Sequence, residues 1–536
     1  MTPDIASAWQ ALAAHAESQE SRHLRQLFAE DPARFEKFSC VAGDLFADFS
    51  KQRVTEETLE RLHSFARARD VESWRARMLA GEAINHTEGR AVRHMELRKP
   101  EAEALPEVRA SRARMRAFCA DIHSGSARGF TDQPFTDVVN LGIGGSDLGP
   151  RMAARALTAF HHPRLKVHFV SNIDGADLQP LLLGLNPATT LFIVASKTFG
   201  TQETLANAHS ALEWLLNRVG TAPEAREEAV RRHFAAVSSH LAATTTFGIP
   251  PERVFGFQDW VGGRFSLWSP VGLALALALG FPHFERLLAG AHTLDTHFLQ
   301  TPARQNLPLI LALLEVWNVN FLRAKSHGFF PYSQSLELLP AYLQQLEMES
   351  LGKAVDRQGE RCPYATSSIV WGSAGTNGQH SFFQLLHQSG QLIPADFLLL
   401  READFALPGH HPQLVANALA QAAALAFGQT PAEARAAGIP EALLPYRSFP
   451  GNQPSTLLLL PQLTPHTLGQ LLALYEHKVF CLGILWNLNA FDQWGVELGK
   501  YMAKSILPHL TGEADASALD ASTRGLLRRL KMGSSV

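Results

Sequence analysis

Roughly the first hundred residues place their apolar and charged positions at helical spacing. Amphipathic segments such as EETLERLHSFARARDVESWRARML, residues 56–79, dominate this region, and no run in it resembles a buried strand. The pattern predicts a helical N-terminal region, residues 1–105, that packs on the larger domain.

From about Asp137 the pattern changes to short apolar runs, each followed by a turn and a helical segment. The first runs are DVVNLGI, KVHFVSN and TLFIVASKT, and a second series contains SSIVWG, DFLLLR and STLLLLP. Continuous apolar runs of this length are typical of parallel strands that are buried on both faces. The pattern predicts an α/β fold with two doubly wound parallel-sheet domains, residues 106–280 and 281–510, followed by a C-terminal arm at 511–536.

The composition is that of a folded globular protein, with 46% hydrophobic and 18% charged residues. A chain of 536 residues exceeds what one hydrophobic core usually supports, so two domains with a cleft between them are expected. The net charge of -3 gives no electrostatic footprint for nucleic acid or an anionic membrane, and we expect neither as a partner.

The four cysteines are widely separated and form no CxxC pair and no set with zinc spacing. We therefore expect a reduced, cytoplasmic protein that has no metal site. The N-terminus lacks the basic start, apolar core and cleavage site of a signal peptide. Apolar runs such as SPVGLALALALGF are too short, or too interrupted by Gly and Pro, to span a bilayer, so solubility is expected.

A glycine-rich segment, NLGIGGSDLGP at residues 140–150, directly follows the first predicted strand. Its glycines let the backbone approach a ligand, and Ser146 and the following helix N-terminus offer donors to an anion. We therefore predict a phosphate site. A dinucleotide-binding turn fits less well because Asp147 occupies the third glycine position, and a P-loop would need a lysine that is missing. A ligand-free turn remains an alternative.

A second polar segment, SKTFGTQET at residues 196–204, follows another apolar strand. Its hydroxyls, the charge of Lys197 and a helix that begins near Gly200 suit the same anion, so two strand ends are expected to converge on one phosphate. The alternative is that Ser and Thr only cap the helix, which is less expected at two sites together.

Two further segments carry groups suited to acid-base chemistry. Gln345 and Glu349 are four residues apart, so on a helix their side chains share one face. Arg264 follows two glycines, and its fixed charge suits a developing oxyanion. The alternatives, a solvated surface glutamate and a surface arginine on a turn, remain open when each segment is taken alone.

The last two segments follow the second series of strands. His380 lies in GTNGQHSFFQLLH, where the first turn of a helix would favour a neutral imidazole. Gln493 and Lys500 lie about two helical turns apart in GILWNLNAFDQWGVELGK and would share a face. A structural histidine and an ordinary helix with an exposed lysine are the alternatives.

Together these segments resemble the glucose-6-phosphate isomerase (phosphoglucose isomerase) family. GGRFSLWSPVGL and GILWNLNAFDQWGVELGK are similar to its two signatures, and LGIGGSDLGP, SKTFGTQET, QQLEMES and GTNGQHSF are similar to its other motifs in the same order. The resemblance runs from GEAINHTEGRAVRH, which starts at Gly81, to about Lys500. It implies two sugar-isomerase-type (SIS) domains, no cofactor, and a homodimer whose active site sits at the subunit interface.

The resemblance also implies roles for individual residues. The sugar phosphate would be bound by Gly145, Ser146, Ser196, Lys197, Thr198 and Thr201. Substrate contacts would come from Gln345 and Gln493, and Arg264 would lie near the reacting oxygens.

Glu349 would move the proton between C2 and C1, and His380, from the partner subunit, and Lys500 would open the hexose ring. An enediolate formed next to a carbonyl needs such a base and a placed cation. The substrate expected from the family is D-glucose 6-phosphate, converted to D-fructose 6-phosphate. Isomerisation of mannose 6-phosphate, and a non-catalytic sugar-phosphate regulator, are the alternatives.

Several positions depart from the pattern of the best-known members. Gly200 replaces a Thr beside the predicted phosphate loop, and Leu346, Glu347 and Leu351 replace Gly, Asp and Asn around Glu349. None of these positions is expected to be catalytic, but they change the surroundings of groups that are.

Overall fold

A computed structural model describes residues 2–512, 514 and 516–532. Two compact units are distinguished, Met1–Ala490 and Phe491–Val536. The predicted C-terminal arm, 511–536, falls in part outside the described residues, as does the first residue of the predicted region 1–105.

Two sheets contain the strands that the structure describes. These strands are β1 (Ser39–Ala42), β2 (Leu45–Asp48), β3 (Asp137–Leu141), β4 (Lys166–Val170), β5 (Thr190–Ala195), β6 (Phe234–Val237), β7 (Val254–Phe255), β8 (Ser326–Pro331), β9 (Ile369–Gly372), β10 (Ala395–Leu400) and β11 (Ser455–Leu460).

Helices surround both sheets and also form the second unit. They are α1 (Pro3–Gln19), α2 (Leu24–Glu30), α3 (Arg34–Lys37), α4 (Glu56–Ala68), α5 (Val71–Leu79), α6 (Pro106–Ser124), α7 (Leu148–Ala156), α8 (Gly175–Gly184), α9 (Gln202–Val219), α10 (Pro223–His233), α11 (Leu241–Phe247), α12 (Leu273–Leu279), α13 (Phe281–Gln300), α14 (Leu307–Val316), α15 (Leu339–Leu343), α16 (Phe383–Gln388), α17 (His410–Phe427), α18 (Pro431–Ala436), α19 (Leu444–Arg447), α20 (Pro465–Leu485), α21 (Glu497–Thr511) and α22 (Ala521–Met532).

The first sheet is wholly parallel, with strand order β4-β3-β5-β6-β7. Val139 and Phe192 pack in one core cluster with residues of α8 and α9. Val138 and Ile193 point to the opposite face because side chains alternate along a strand, and both are fully buried. Burial on both faces confirms the predicted doubly wound α/β arrangement.

The second sheet has the order β1-β2-β11-β10-β8-β9. Its strands β8 to β11 are parallel, whereas β2 runs antiparallel to β11 and pairs with β1 in a hairpin. The N-terminal region is therefore not purely helical: it completes the second sheet. The four-residue strands SCVA and LFAD are too short for a periodicity of two to be recognised.

Helix α20 is the core helix of the first unit. It alone among the described helices is long and apolar enough to cross a membrane, and it is entirely buried in the protein. It packs against α13 and α14. Three consecutive charged or titratable residues, Glu476, His477 and Lys478, lie within it, and each has an ion-pairing partner, as expected for buried charge.

The second unit contains a 3₁₀ turn, Trp494–Val496, followed by α21 and α22. Gln493 precedes the turn with an extended φ of -151°, whereas Lys500 lies in the first turn of α21. The two residues therefore do not share one helical face. The prediction of a continuous helix was wrong here, because Gly495 is a poor helix former and the chain enters α21 only at Glu497.

Candidate active site

The glycine-rich loop after β3 lies against the segment that carries Arg264. A Cβ atom on Gly145 would lie 2.2 Å from the carbonyl oxygen of Gly263, so only glycine fits at this contact. Gly144 has a φ of +60°, and its Cβ position would lie 3.3 Å from Nε2 of Gln345. The loop thus joins two of the predicted site segments.

The polar loop after β5 leaves the same edge of the sheet, because β3 and β5 are parallel neighbours. The buried Ser196 hydroxyl lies 3.0 Å from the Thr201 hydroxyl. Thr201 is the N-cap of α9 but forms no side-chain capping bond there. The alternative in which these hydroxyls only cap the helix therefore does not describe this loop, and the first N–H groups of α9 have no side-chain cap from Thr201.

Lys197 connects the polar loop to the arginine segment. Its Nζ donates to the carbonyl oxygens of Asp259 and Val261, each at 3.0 Å, immediately before Gly262. Burial, and secondly the charge of Arg90, lowers the pKa of Lys197. Lys197 is thus a half-buried cation whose position is fixed by backbone carbonyls.

Gln345 and Glu349 lie on a π-helical turn, Gln344–Glu349, that continues from α15. Residues four apart still share one face in this wider turn, so both side chains point the same way, and both are half-buried. The turn differs from the expected α-helix in its hydrogen bonding, which joins residues five apart.

Arg264 is buried and faces Glu349. Its Nη1 lies 3.5 Å from Oε2 of Glu349. Its Nε donates to the Ser350 hydroxyl at 2.6 Å, and its Nη2 donates to the Ala490 carbonyl at 2.7 Å. The guanidinium is therefore a pre-positioned positive charge beside a carboxylate, the arrangement that general-base chemistry at a carbonyl requires.

The chain matches a known protein family over most of its length. The family described as Phosphoglucose isomerase matches residues 48–527. The chain belongs to the phosphoglucose isomerase family. This confirms the resemblance seen in the sequence motifs.

Two curated relatives and one solved structure extend the likeness along the whole chain. A glucose-6-phosphate isomerase of Dechloromonas aromatica is 62% identical over 99% of this chain and 100% of its own length. One of Methylococcus capsulatus is 48% identical over 98% of both chains. The crystal structure of a glucose-6-phosphate isomerase from Chlamydia trachomatis has a TM-score of 0.84 at 32% identity and covers 98% of both chains.

The remaining predicted site residues of this family member belong to both units. Thr198 is exposed beside Ser196, and the backbone carbonyl of Ser146 accepts a hydrogen bond from Asn140 at 3.1 Å. Lys500 lies in the second unit, where its Nζ donates to Glu497 at 3.0 Å, and Gln493 also belongs to that unit.

His380 differs from its predicted setting. It ends a short 3₁₀ turn, Asn377–His380, and α16 begins only at Phe383. The expected position in the first turn of a helix was therefore wrong, because the Gly-rich loop forms its own tight turn first. The imidazole is exposed on the loop that follows β9.

The structure adds residues that sequence reasoning missed. Ser350 and the Ala490 carbonyl orient Arg264, and Asp259 and Val261 orient Lys197. Ser350 directly follows Glu349, which was the one available signal. Backbone carbonyl contacts leave no trace in side-chain patterns.

Proposed function

We propose that this protein catalyses the reversible isomerisation of D-glucose 6-phosphate to D-fructose 6-phosphate, a step of glycolysis and gluconeogenesis. Membership of the family and the names of its relatives support this reaction. The observation that carries it is the 3.5 Å approach of the buried Arg264 to Glu349, beside two loops suited to a phosphate.

The proposed chemistry begins with ring opening by His380 and Lys500. Glu349 then removes the proton from C2 and returns it to C1, while the hydroxyl proton of O2 passes to O1, so that a cis-enediolate forms and collapses to the ketose. The negative charge that develops on oxygen during this step is stabilised by Arg264. Glu349 is regenerated at the end of each cycle, and the step balances without an external oxidant or a metal ion.

Binding of the remote phosphate positions the reacting carbons. The residues proposed for this and for other substrate contacts are Gly145, Ser146, Ser196, Lys197, Thr198, Thr201, Gln345 and Gln493. Lys197 is a half-buried cation beside the Ser196 hydroxyl, and a charged donor of this kind binds a phosphate oxygen strongly.

The proposed assembly is a cytoplasmic homodimer with active sites at the subunit interface. The exposure of His380 fits a histidine that serves the partner subunit. The four cysteines are free, as in a reducing compartment. The proposed domain boundaries remain 1–105, 106–280, 281–510 and 511–536.

A coupled assay on the purified protein tests the proposal. Fructose 6-phosphate formed from glucose 6-phosphate, and separately from mannose 6-phosphate, is measured under identical conditions. The proposal expects efficient turnover of glucose 6-phosphate. Preference for mannose 6-phosphate would instead identify a different sugar-phosphate isomerase, and binding without turnover of either would identify a regulator.

A further inference from the structure

Glu347 lies on the same turn as the predicted base but faces the protein interior. It is buried, whereas Gln345 and Glu349 are each half-buried. Residues two apart on a helical turn point to nearly opposite sides. Glu347 is two positions from both Gln345 and Glu349. If the Glu347 side chain is fixed toward the interior, the rotation of the turn about its axis, and with it the direction of Gln345 and Glu349, is fixed as well.

The interior partner of Glu347 is Lys478, in the middle of α20. Lys478 Nζ lies 3.0 Å from Oε1 and 3.3 Å from Oε2 of Glu347, so it engages both carboxylate oxygens. Both side chains are almost entirely buried. Such a pair is costly to form and costly to break from one side, and its best-attested use is to fix one arrangement among several.

The pair belongs to a larger buried network. Lys478 Nζ also lies 3.8 Å from Glu315, and His327 bridges Glu315 at 2.5 Å and Asp396 at 3.2 Å. The Ser368 and Tyr475 hydroxyls donate to Glu315 and Asp396. The network thus contains three carboxylates and two cations, and removal of Lys478 would leave His327 as its remaining cation.

Neighbouring carboxylates favour the protonated, positively charged forms of Lys478 and His327. Burial opposes protonation of Lys478, but Glu347 and Glu315 overcome this and raise its pKa. Burial likewise opposes charge on His327, whose pKa Glu315 and Asp396 raise to about 10. Burial raises the pKa of Glu347 although Lys478 works in the other direction.

We propose that Glu347 and Lys478 are positioning residues: their buried pair fixes the rotation of the turn 344–349 and thereby the placement of Glu349 against Arg264. This inference rests on the proposed role of Glu349. Two further contacts of the turn involve no ion pair: Gln344 Nε2 donates to the Val370 carbonyl at 3.2 Å, and the Val370 N–H donates to the Met348 sulfur at 3.4 Å.

The pair predicts a particular kinetic signature. Rotation of the turn would move the Glu349 carboxylate while leaving the loops after β3 and β5 in place. Small displacements of a catalytic group cost about 100-fold in rate. We therefore expect Lys478→Met to lower kcat about 100-fold, while the inhibition constant for inorganic phosphate changes less than about threefold.

The test compares four variants with the wild-type enzyme in the isomerase assay. Lys478→Met removes the cation, Lys478→Arg restores it, Glu347→Gln removes the negative charge at nearly constant volume, and the double variant Glu347→Gln/Lys478→Met removes the pair. Rescue of kcat by Arg, and a double variant no worse than the more impaired single variant, are expected for residues that act as one unit. Glu347→Gln keeps the test decisive if Lys478→Met fails to fold.

Leu425→Ala is the matched control, because Leu425 is buried in the core cluster on α17 and belongs to no proposed site. It is expected to lower the thermal midpoint while kcat per folded molecule stays at the wild-type value. Lys478→Met or Glu347→Gln that behaves like this control, with kcat within about threefold of wild type, would overturn the positioning role. A wild-type protein without isomerase activity would instead refute the proposed function, so the two failures are distinguishable.

Discussion

Arg264 is held at its position by groups that leave the guanidinium little freedom. Two of its nitrogens donate to the Ser350 hydroxyl and the Ala490 carbonyl, and a third faces Glu349. A lysine has one compact ammonium group and cannot reproduce this planar set of donors. The charge alone would therefore not preserve the geometry.

The first prediction is that Arg264→Lys lowers kcat about 100- to 1,000-fold, with a smaller effect on KM, since loss of one oxyanion donor has this magnitude. Steady-state kinetics on both substrates of the reaction check it. Arg34→Lys is the control, because Arg34 is also buried and donates to two carbonyls, those of Ser50 and Gln52. Equal loss of kcat in both variants would assign Arg264 a purely structural role.

A second residue-scale prediction concerns the hydroxyl pair in the polar loop. Thr201→Val removes the hydroxyl that lies 3.0 Å from Ser196 while the side-chain volume is nearly kept. A lost hydrogen bond to a charged ligand is worth about 1.5–3 kcal/mol, so KM and the phosphate inhibition constant should rise about 10- to 100-fold.

Thr246→Val in α11 is the matched change, since its hydroxyl donates only to its own helix, at the Ala242 carbonyl. It should leave both constants unaltered. If Thr201→Val lowers kcat but leaves phosphate inhibition as in the wild type, the polar loop is not the phosphate site.

At the scale of elements, strands β8 and β10 and helix α20 are joined by the buried network around His327. The pKa of His327 is raised from 6.5 to about 10, because Glu315 and Asp396 outweigh the opposing effect of burial. A histidine with a raised folded-state pKa stabilises the fold below its unfolded value of 6.5, and this contribution is lost as pH rises through about 10.

The third prediction follows from this loss of stability with rising pH. As pH rises from 7 to 10, the thermal midpoint of the wild type should fall further than the midpoint of His327→Gln, because glutamine at position 327 does not titrate. The variant should also be less stable at pH 7. Differential scanning calorimetry across this range gives both curves, and parallel curves would mean that His327 is not protonated in the folded protein.

Much of the element pattern was predictable from sequence. Buried parallel strands such as TLFIVA stand out because both faces are apolar, and the long helix α20 is mostly apolar on either side of Glu476, His477 and Lys478. The hairpin of β1 and β2 was missed, because its pairing with β11 joins distant parts of the chain. The π-turn was missed since its sequence, QQLEME, fits an α-helix equally well.

The same division applies to the candidate site. Glycine-rich loops and hydroxyl clusters that follow strands can be recognised in the sequence. Adjacent parallel strands then bring these loops to the same edge of the sheet. The partners of Arg264 could not be predicted, because tertiary packing alone brings Ser350 and the Ala490 carbonyl to it. The pairing of Lys478 with Glu347, 131 positions apart, was hidden for the same reason.

At the scale of the whole molecule, the proposed dimer makes a prediction about mixed subunits. If each site combines Glu349 of one subunit with His380 of the other, a heterodimer of Glu349→Gln and His380→Ala subunits has one intact site and one doubly altered site. It should regain about half of the wild-type activity, although each homodimer is nearly inactive.

Co-expression of the two variants with different affinity tags yields the heterodimer for assay. The wild-type protein carrying both tags is the reference. Sites built from one subunit alone would each carry one substitution, so an inactive heterodimer would contradict the shared arrangement.

The proposed mechanism depends most on Glu349, which carries the proton between C2 and C1. The direct measurement follows deuterium incorporation at C1 of fructose 6-phosphate in D₂O by NMR, with wild-type protein and with Glu349→Gln. Binding of the phosphorylated sugar to both proteins, and its inhibition by inorganic phosphate, is measured alongside. We expect that the variant binds phosphorylated sugar and keeps its fold but neither isomerises nor exchanges the C1 hydrogen. Exchange by Glu349→Gln at the wild-type rate would contradict it.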